Sequence, residues 1–261
     1  MILTGNYGGR NGGRSATEYA MMGYLDTILQ AYVITEDVLV LAVMLLDAGR
    51  RKSLVEFLFP DREQNPVMKE LYEEAEGSLG SPELLAETIL SGIKEKTIPL
   101  NRKAIVARLR ELVRGRREEL PSRDVAAFEE RLAGVAGLFN LAEPDVDVLR
   151  LLYCIYGARN MEFAALVNNM SFHDFITFVA VTTGLGVADV NRSISRCEML
   201  YQIRINSELS ALGCGHFIEM EDGVIEYLAG VCDRDLIRQY LVPDGDGAYD
   251  LGMRAHRAVG R

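Results

Sequence analysis

FHDFITFVAVTTG (172–184), the dipeptide LG (185–186) and VADVNRSISRCEML (187–200) form the stretch whose reading decides the fold. It reads as helix, turn, helix, with Val187, Val190, Ile194 and Leu200 suited to the inner face of the second helix. Before it lie an apolar helix over 146–156 and a short one over 161–168. After it, SELSALGCGHFIEMEDG (207–223) reads as a leucine-rich turn, a glycine and a strand pair or wing. The order helix, helix-turn-helix, wing is that of a winged helix. VIEYLAGV (224–231) and DRDLIRQYL (233–241) follow as short helices, and the tail from 246 has little periodicity.

Outward toward the N-terminus the punctuation is helical throughout. Ser15-x-x-Glu18 forms a capping box before YAMMGYLDTILQAY, and Thr35 caps EDVLVLAVMLLDAG, which Gly49 ends. Asn65-Pro66 and Ser81-Pro82 each place a cap before a proline at the first helical position. Asn101 opens RKAIVARLRELVRGRREEL, with Ile105, Leu109, Leu112 and Val113 as its buried stripe. Ser122 opens RDVAAFEERLAGVAGLFN, with Val125, Phe128, Leu132, Val135 and Leu138 on one face. The predicted fold is mostly α: a flexible glycine-rich arm (1–14), a helical domain (15–120), a winged-helix-like domain with a small β element (121–245) and a tail or linker (246–261).

Charge narrows the choice of partners. The chain of 261 residues carries a formal net charge of −10. Residues 1–119 hold 16 Lys and Arg against 18 Asp and Glu; residues 120–261 hold 12 against 20. Such a chain repels nucleic acid unless it builds a local basic surface. Two stretches are candidates for one. Arg102–Arg117 is basic and amphipathic, with Arg108, Arg110, Arg114 and Arg117 as contact residues for a partner or nucleic acid. Its alternative is a solvated face turned toward ELYEEAE (70–76). The second helix of the central motif offers Arg192 and Arg196, but Asp189 and Glu198 bring residues 187–202 to zero net charge. Phosphate contacts supply most of the affinity for DNA, so protein contact or scaffolding is favoured there.

Catalytic and metal-binding patterns are weak. YGGRNGGRS (7–15) fits a phosphate loop loosely, with Arg14 in place of lysine, but its preceding strand is three residues long. Cys154, Cys197, Cys214 and Cys232 form no C-x-x-C pair and read as buried thiols; His173, His216 and His256 share no ligand spacing. Asp145 and Asp147 suit a helix start better than general acid–base work. Tyr153, Tyr156, Phe163, Phe172, Phe175 and Phe178 read as core aromatics. No metal or cofactor is expected, and the chain by itself is not expected to be an enzyme. The longest apolar run, Val38 to Leu46, is far short of the roughly 20 residues a bilayer needs, so a soluble, cytoplasmic protein without membrane contact is expected.

LFNLAEPDVDVLRLLYC (138–154), VTTGLGVADVNRSIS (181–195) and SELSALGCGHFIEMEDGVIEYLAG (207–230) carry a family resemblance. The region 135–240 resembles the helical part that precedes the ATPase module in a group of bacterial AAA-family ATPases. No Gly-Pro-Pro-Gly-x-Gly-Lys loop and no paired-acid strand follow within this chain, so such a module would lie beyond Arg261. The resemblance implies a non-catalytic N-terminal interaction or regulatory module that binds protein partners or substrates and helps subunits associate. The competing expectation is a winged-helix DNA-binding transcriptional regulator.

Overall fold

The computed structural model describes residues 12–31, 36–157, 167, 170–197, 201–204 and 217–231. Among these residues the chain is mostly helical. Helix α1 spans Gly12–Ala31, α2 Glu36–Leu45, α3 Ala48–Leu58, α4 Pro66–Gly77, α5 Pro82–Lys94, α6 Arg102–Glu118, α7 Ser122–Phe139 and α8 Glu143–Leu152. A π-helical turn, Tyr153–Gly157, prolongs α8. Then come α9 Phe172–Thr183, α10 Val187–Arg196, strands β1 Tyr201–Arg204 and β2 Phe217–Met220, and α11 Asp222–Leu228.

Side-chain caps explain several of these boundaries. The side chains of Asn65 and Asn101 accept backbone N–H bonds from the first turns of α4 and α6, at 3.0 Å from Val67 and 2.9 Å from Ala104. Ser171 does the same for α9 through Asp174 N–H at 3.1 Å. Gly184 closes α9 with φ +75°, a left-handed conformation that costs a glycine little. Ser81 precedes α5 at the cap position, but its hydroxyl donates to Glu83 instead of capping.

Four boundaries differ from the sequence reading. Helix α1 begins at Gly12, so Ser15 lies within it and is no cap; the Glu18 carboxylate lies 3.8 Å from Arg116. The segment after Thr35 is two helices, not one. Asp47 breaks it by accepting the Arg50 N–H at 2.9 Å, which starts α3 at once and places Gly49 inside that helix. Pro121, not Ser122, holds the N-cap position of α7, with no side-chain cap bond. Helix α10 stops at Arg196, and Tyr201 and Gln202 pair in a strand instead of extending it. Thr35, Phe163, Leu200, the turn over 207–213, Cys214, Cys232, His216, His256, the helix at 233–241 and the tail lie outside the described residues, as do Tyr7 to Asn11 of the glycine-rich stretch.

Helix α1 organises the packing. It lies against α2, α6, α7, α8 and α9, so a single apolar cluster runs from Ala16 to Leu228. Met22 and Leu25 of α1 are fully buried, as is Leu39 within the long apolar run of α2. The stripe Ile105, Leu109, Leu112 and Val113 of α6 is buried as its spacing predicts. On α7 the buried set is Phe128, Leu132 and Val135, with Val125 and Leu138 half-buried at the ends. Burying one such side chain contributes about 1.5–3 kcal/mol.

Helices α8, α9 and α10 pack on one another, and Gly184-Leu185-Gly186 forms the turn between the last two. Strands β1 and β2 pair antiparallel, with Tyr201 opposite Met220 and Arg204 opposite Phe217, and β2 lies against the π-helical turn. Tyr153, Phe175 and Phe178 are buried; Tyr156 and Phe172 are half-buried. No described helix is long and apolar enough to cross a membrane.

Candidate interaction surfaces

Helix α10 follows the tight turn at Gly184 and turns one face to solvent. Val190 and Ser193 are buried and Ile194 is half-buried against the neighbouring helices. The sequence reading also put Val187 on that inner face. The structure corrects this: Val187, the first residue of α10, is 44% exposed. Ala188, Asn191, Arg192, Ser195 and Arg196 share its exposure.

The two arginines of α10 are not equivalent. Arg192 is largely exposed and donates to Asp189 on its own helix at 2.8 Å. Arg196 reaches 51 residues back in sequence, to Asp145 at 2.8 Å. Asp145 is 1% exposed, and its other carboxylate oxygen accepts the Ala142 N–H at 2.9 Å. One carboxylate therefore opens α8 and anchors α10, and Arg196 supplies the charge that lets it stay buried. This is the helix-start role expected of Asp145; Asp147 instead pairs with Arg150 at 2.5 Å.

The basic helix α6 does not face residues 70–76. Its arginines find their acids on α1, on α6 itself and at the end of α6. Arg110 and Arg114 both bind Asp26, with Nε of Arg110 at 2.7 Å and the terminal nitrogen of Arg114 at 2.8 Å. Arg110 also donates to Gln30 at 3.0 Å. Arg108 donates to Ser53 at 2.6 Å and Glu111 at 2.8 Å. Arg117 turns inward, its guanidinium 4.1 Å above the Tyr19 ring. Gly23 makes room for it: a Cβ there would lie 3.1 Å from the guanidinium carbon. Arg117 is thus a packing residue, whereas Arg108, Arg110 and Arg114 line an open groove.

That groove lies between α3 and α6 and encloses about 670 Å³. Arg50 contributes from α3, paired with Asp47 and with Glu119, the latter at 2.5 Å. Glu111 and Glu118 are its acidic lining. Burial tends to raise the Asp26 carboxyl, but the hydrogen bonds from Arg110 and Arg114 outweigh it and hold that carboxyl below the usual range.

A second polar group sits deeper, where α1, α7 and α8 meet. Arg150 forks onto Glu129 at 2.8 and 3.1 Å and also holds Asp147. Burial opposes its charge, and Glu129 and Asp147 more than restore it. Beside it, burial pushes the Tyr24 hydroxyl far above its ordinary range and the Cys154 thiol up to about 12. Cys154 and Cys197 are both buried. The described residues contain no cluster of three metal-ligating side chains.

The sequence does not single out Asp26, and it marks Asp145 as a helix-start acid without its tie to Arg196. Glu18 and Asp26 are the two acids in the described side chains of α1, which has no base there, and both meet arginines of α6. Lone acids on an otherwise apolar helix are the available signal. Comparison of the chain with family models, with curated proteins and with solved structures gives no match.

Proposed function

We propose that this chain is a non-catalytic interaction or regulatory module of a bacterial AAA-family ATPase, binding a protein partner or substrate through the exposed face of α10. The family part of this reading rests on the sequence resemblance over 135–240. The winged-helix part is supported by the order α8, α9, α10 and an antiparallel strand pair.

One observation carries the choice of a protein partner: both arginines of α10 are spent on carboxylates of this chain, Arg192 on Asp189 and Arg196 on buried Asp145. Two such contacts with DNA would at most give a salt slope of about −2, too shallow for useful affinity in an acidic chain. Exposed Val187 beside Ala188 and Asn191 instead offers a small apolar patch ringed by polar groups, which suits a protein surface. The second reading is a DNA-binding regulator. It draws on the exposed side chain of Arg192, 71% accessible at the helix where a reader would enter the major groove.

A photo-crosslinking residue at Asn191 tests the proposal in the native host. The expected outcome is a discrete protein adduct that Val187→Asp abolishes without loss of helicity. Crosslinking to DNA, or ATP turnover by this chain alone, would overturn it.

A further inference from the structure

The groove between α3 and α6 lies apart from the α10 face, with Arg50, Arg108, Arg110 and Arg114 lining it against Glu111 and Glu118. Asp26 supplies one carboxylate for two guanidinium groups, those of Arg110 and Arg114. It holds both side chains in place, so a second anion meets them with little further ordering cost. Arg110 and Arg114 stand one turn apart on α6, about 6 Å along the axis.

The complementary surface is on the same chain. Helix α4 packs on α3 and α5 and turns Glu70, Glu73, Glu74 and Glu76 to solvent. Glu73 lies 4.0 Å from Lys69, and Glu76 accepts from the Tyr72 hydroxyl at 3.2 Å. Among the described residues, Glu70 and Glu74 have no cationic partner. They too stand four residues apart, at the spacing of Arg110 and Arg114. No arginine of α6 pairs with a carboxylate of α4 among the described residues.

We propose that the α3–α6 groove is a self-association surface that receives the outer face of α4 from a second copy, with Glu70 and Glu74 seated against Arg110 and Arg114. The contact joins two different patches, so it is head-to-tail: a pair keeps one free α4 face and one free groove, and association continues to a ring or a filament. Exposed ion pairs dominate it, so it is weak and salt-sensitive.

Light scattering and sedimentation over a concentration series test this on the full chain. At about 50 mM salt the mean mass should climb beyond that of a dimer, and at about 500 mM it should return to monomer. Glu70→Lys/Glu74→Lys should weaken association by about tenfold or more. Arg114→Glu should do the same, its fold checked by circular dichroism. Mixing the two variants leaves one intact groove and one intact α4 face, so a one-to-one heterodimer should form that neither variant forms alone. The proposal is overturned by a monomer at every concentration in low salt, by association that survives Glu70→Lys/Glu74→Lys, or by a mixture of variants that stays monomeric. A monomer whose groove instead binds a glutamate-rich peptide would likewise overturn self-association, in favour of an acidic partner. All of these outcomes leave the α10 surface untouched and so are separable from the reading above.

Discussion

Removing the Asp145 carboxylate should loosen both helices that it joins. In Asp145→Ala the Ala142 N–H loses its acceptor, a capping loss of about 1 kcal/mol. Arg196 also loses a charge-assisted bond, of about 1.5–3 kcal/mol when buried. The Arg196 side chain is 55% accessible, so water replaces part of that interaction and about 1 kcal/mol is the better figure. A small cavity adds to these, giving about 2–3 kcal/mol in all. Asp145→Asn keeps one acceptor and should cost about half as much. Arg196→Ala leaves a buried carboxylate held by backbone alone and should cost about 1–2 kcal/mol. The double variant should be little worse than Asp145→Ala, a coupling of about 1 kcal/mol. Urea unfolding followed by circular dichroism reads all four, with midpoints that fall at unchanged slope. If Asp145→Ala and Arg196→Ala both lie within about 0.5 kcal/mol of the parent, the tie between α8 and α10 does not exist as described and Arg196 is free for a partner.

Three further outcomes follow from the same packing. Asp26 is held below the ordinary carboxyl range by Arg110 and Arg114, so its contribution is present above about pH 4, the unfolded value, and is lost as pH falls through its lower folded value. Asp26→Asn should therefore flatten the acid limb of the stability–pH curve while lowering stability at neutral pH. The Cys154 thiol, fully enclosed and pushed up to about 12, should not react with a thiol reagent at pH 8 until the chain unfolds; fast native labelling would contradict its burial. Gly134→Ala would drive a Cβ into the Tyr227 hydroxyl, so the buried Tyr227 ring or α11 must give way at a cost of about 1–3 kcal/mol, seen as a lowered unfolding midpoint.

Local features were readable where one signal had one meaning. The α6 stripe combined unbroken helical spacing with an asparagine cap, and both are as expected. Asn65-Pro66 fixed the start of α4 for the same reason. The break between α2 and α3 was not readable, because the apolar run ends without proline and the nearby Gly49 mimics a helix stop. Asp47 makes the break through a side-chain bond that propensity does not reveal. Val187 shares the helical spacing of Val190 and Ile194 but stands at the first position of α10, where it is exposed. The candidate arginines were legible as a basic pattern, but their partners were not. Asp26 lies 84 residues from Arg110, and Asp145 lies 51 from Arg196, so tertiary contact alone decides which charges remain to meet a partner.

Binding of a fluorescent DNA duplex, followed by anisotropy from about 50 to 200 mM salt, separates a protein-binding α10 from a DNA-reading one. An α10 face that meets protein gives weak DNA binding with a shallow salt dependence, unchanged in Arg192→Glu. Sub-micromolar binding that falls steeply with salt and vanishes in Arg192→Glu would contradict it, and would make α10 a DNA-reading helix.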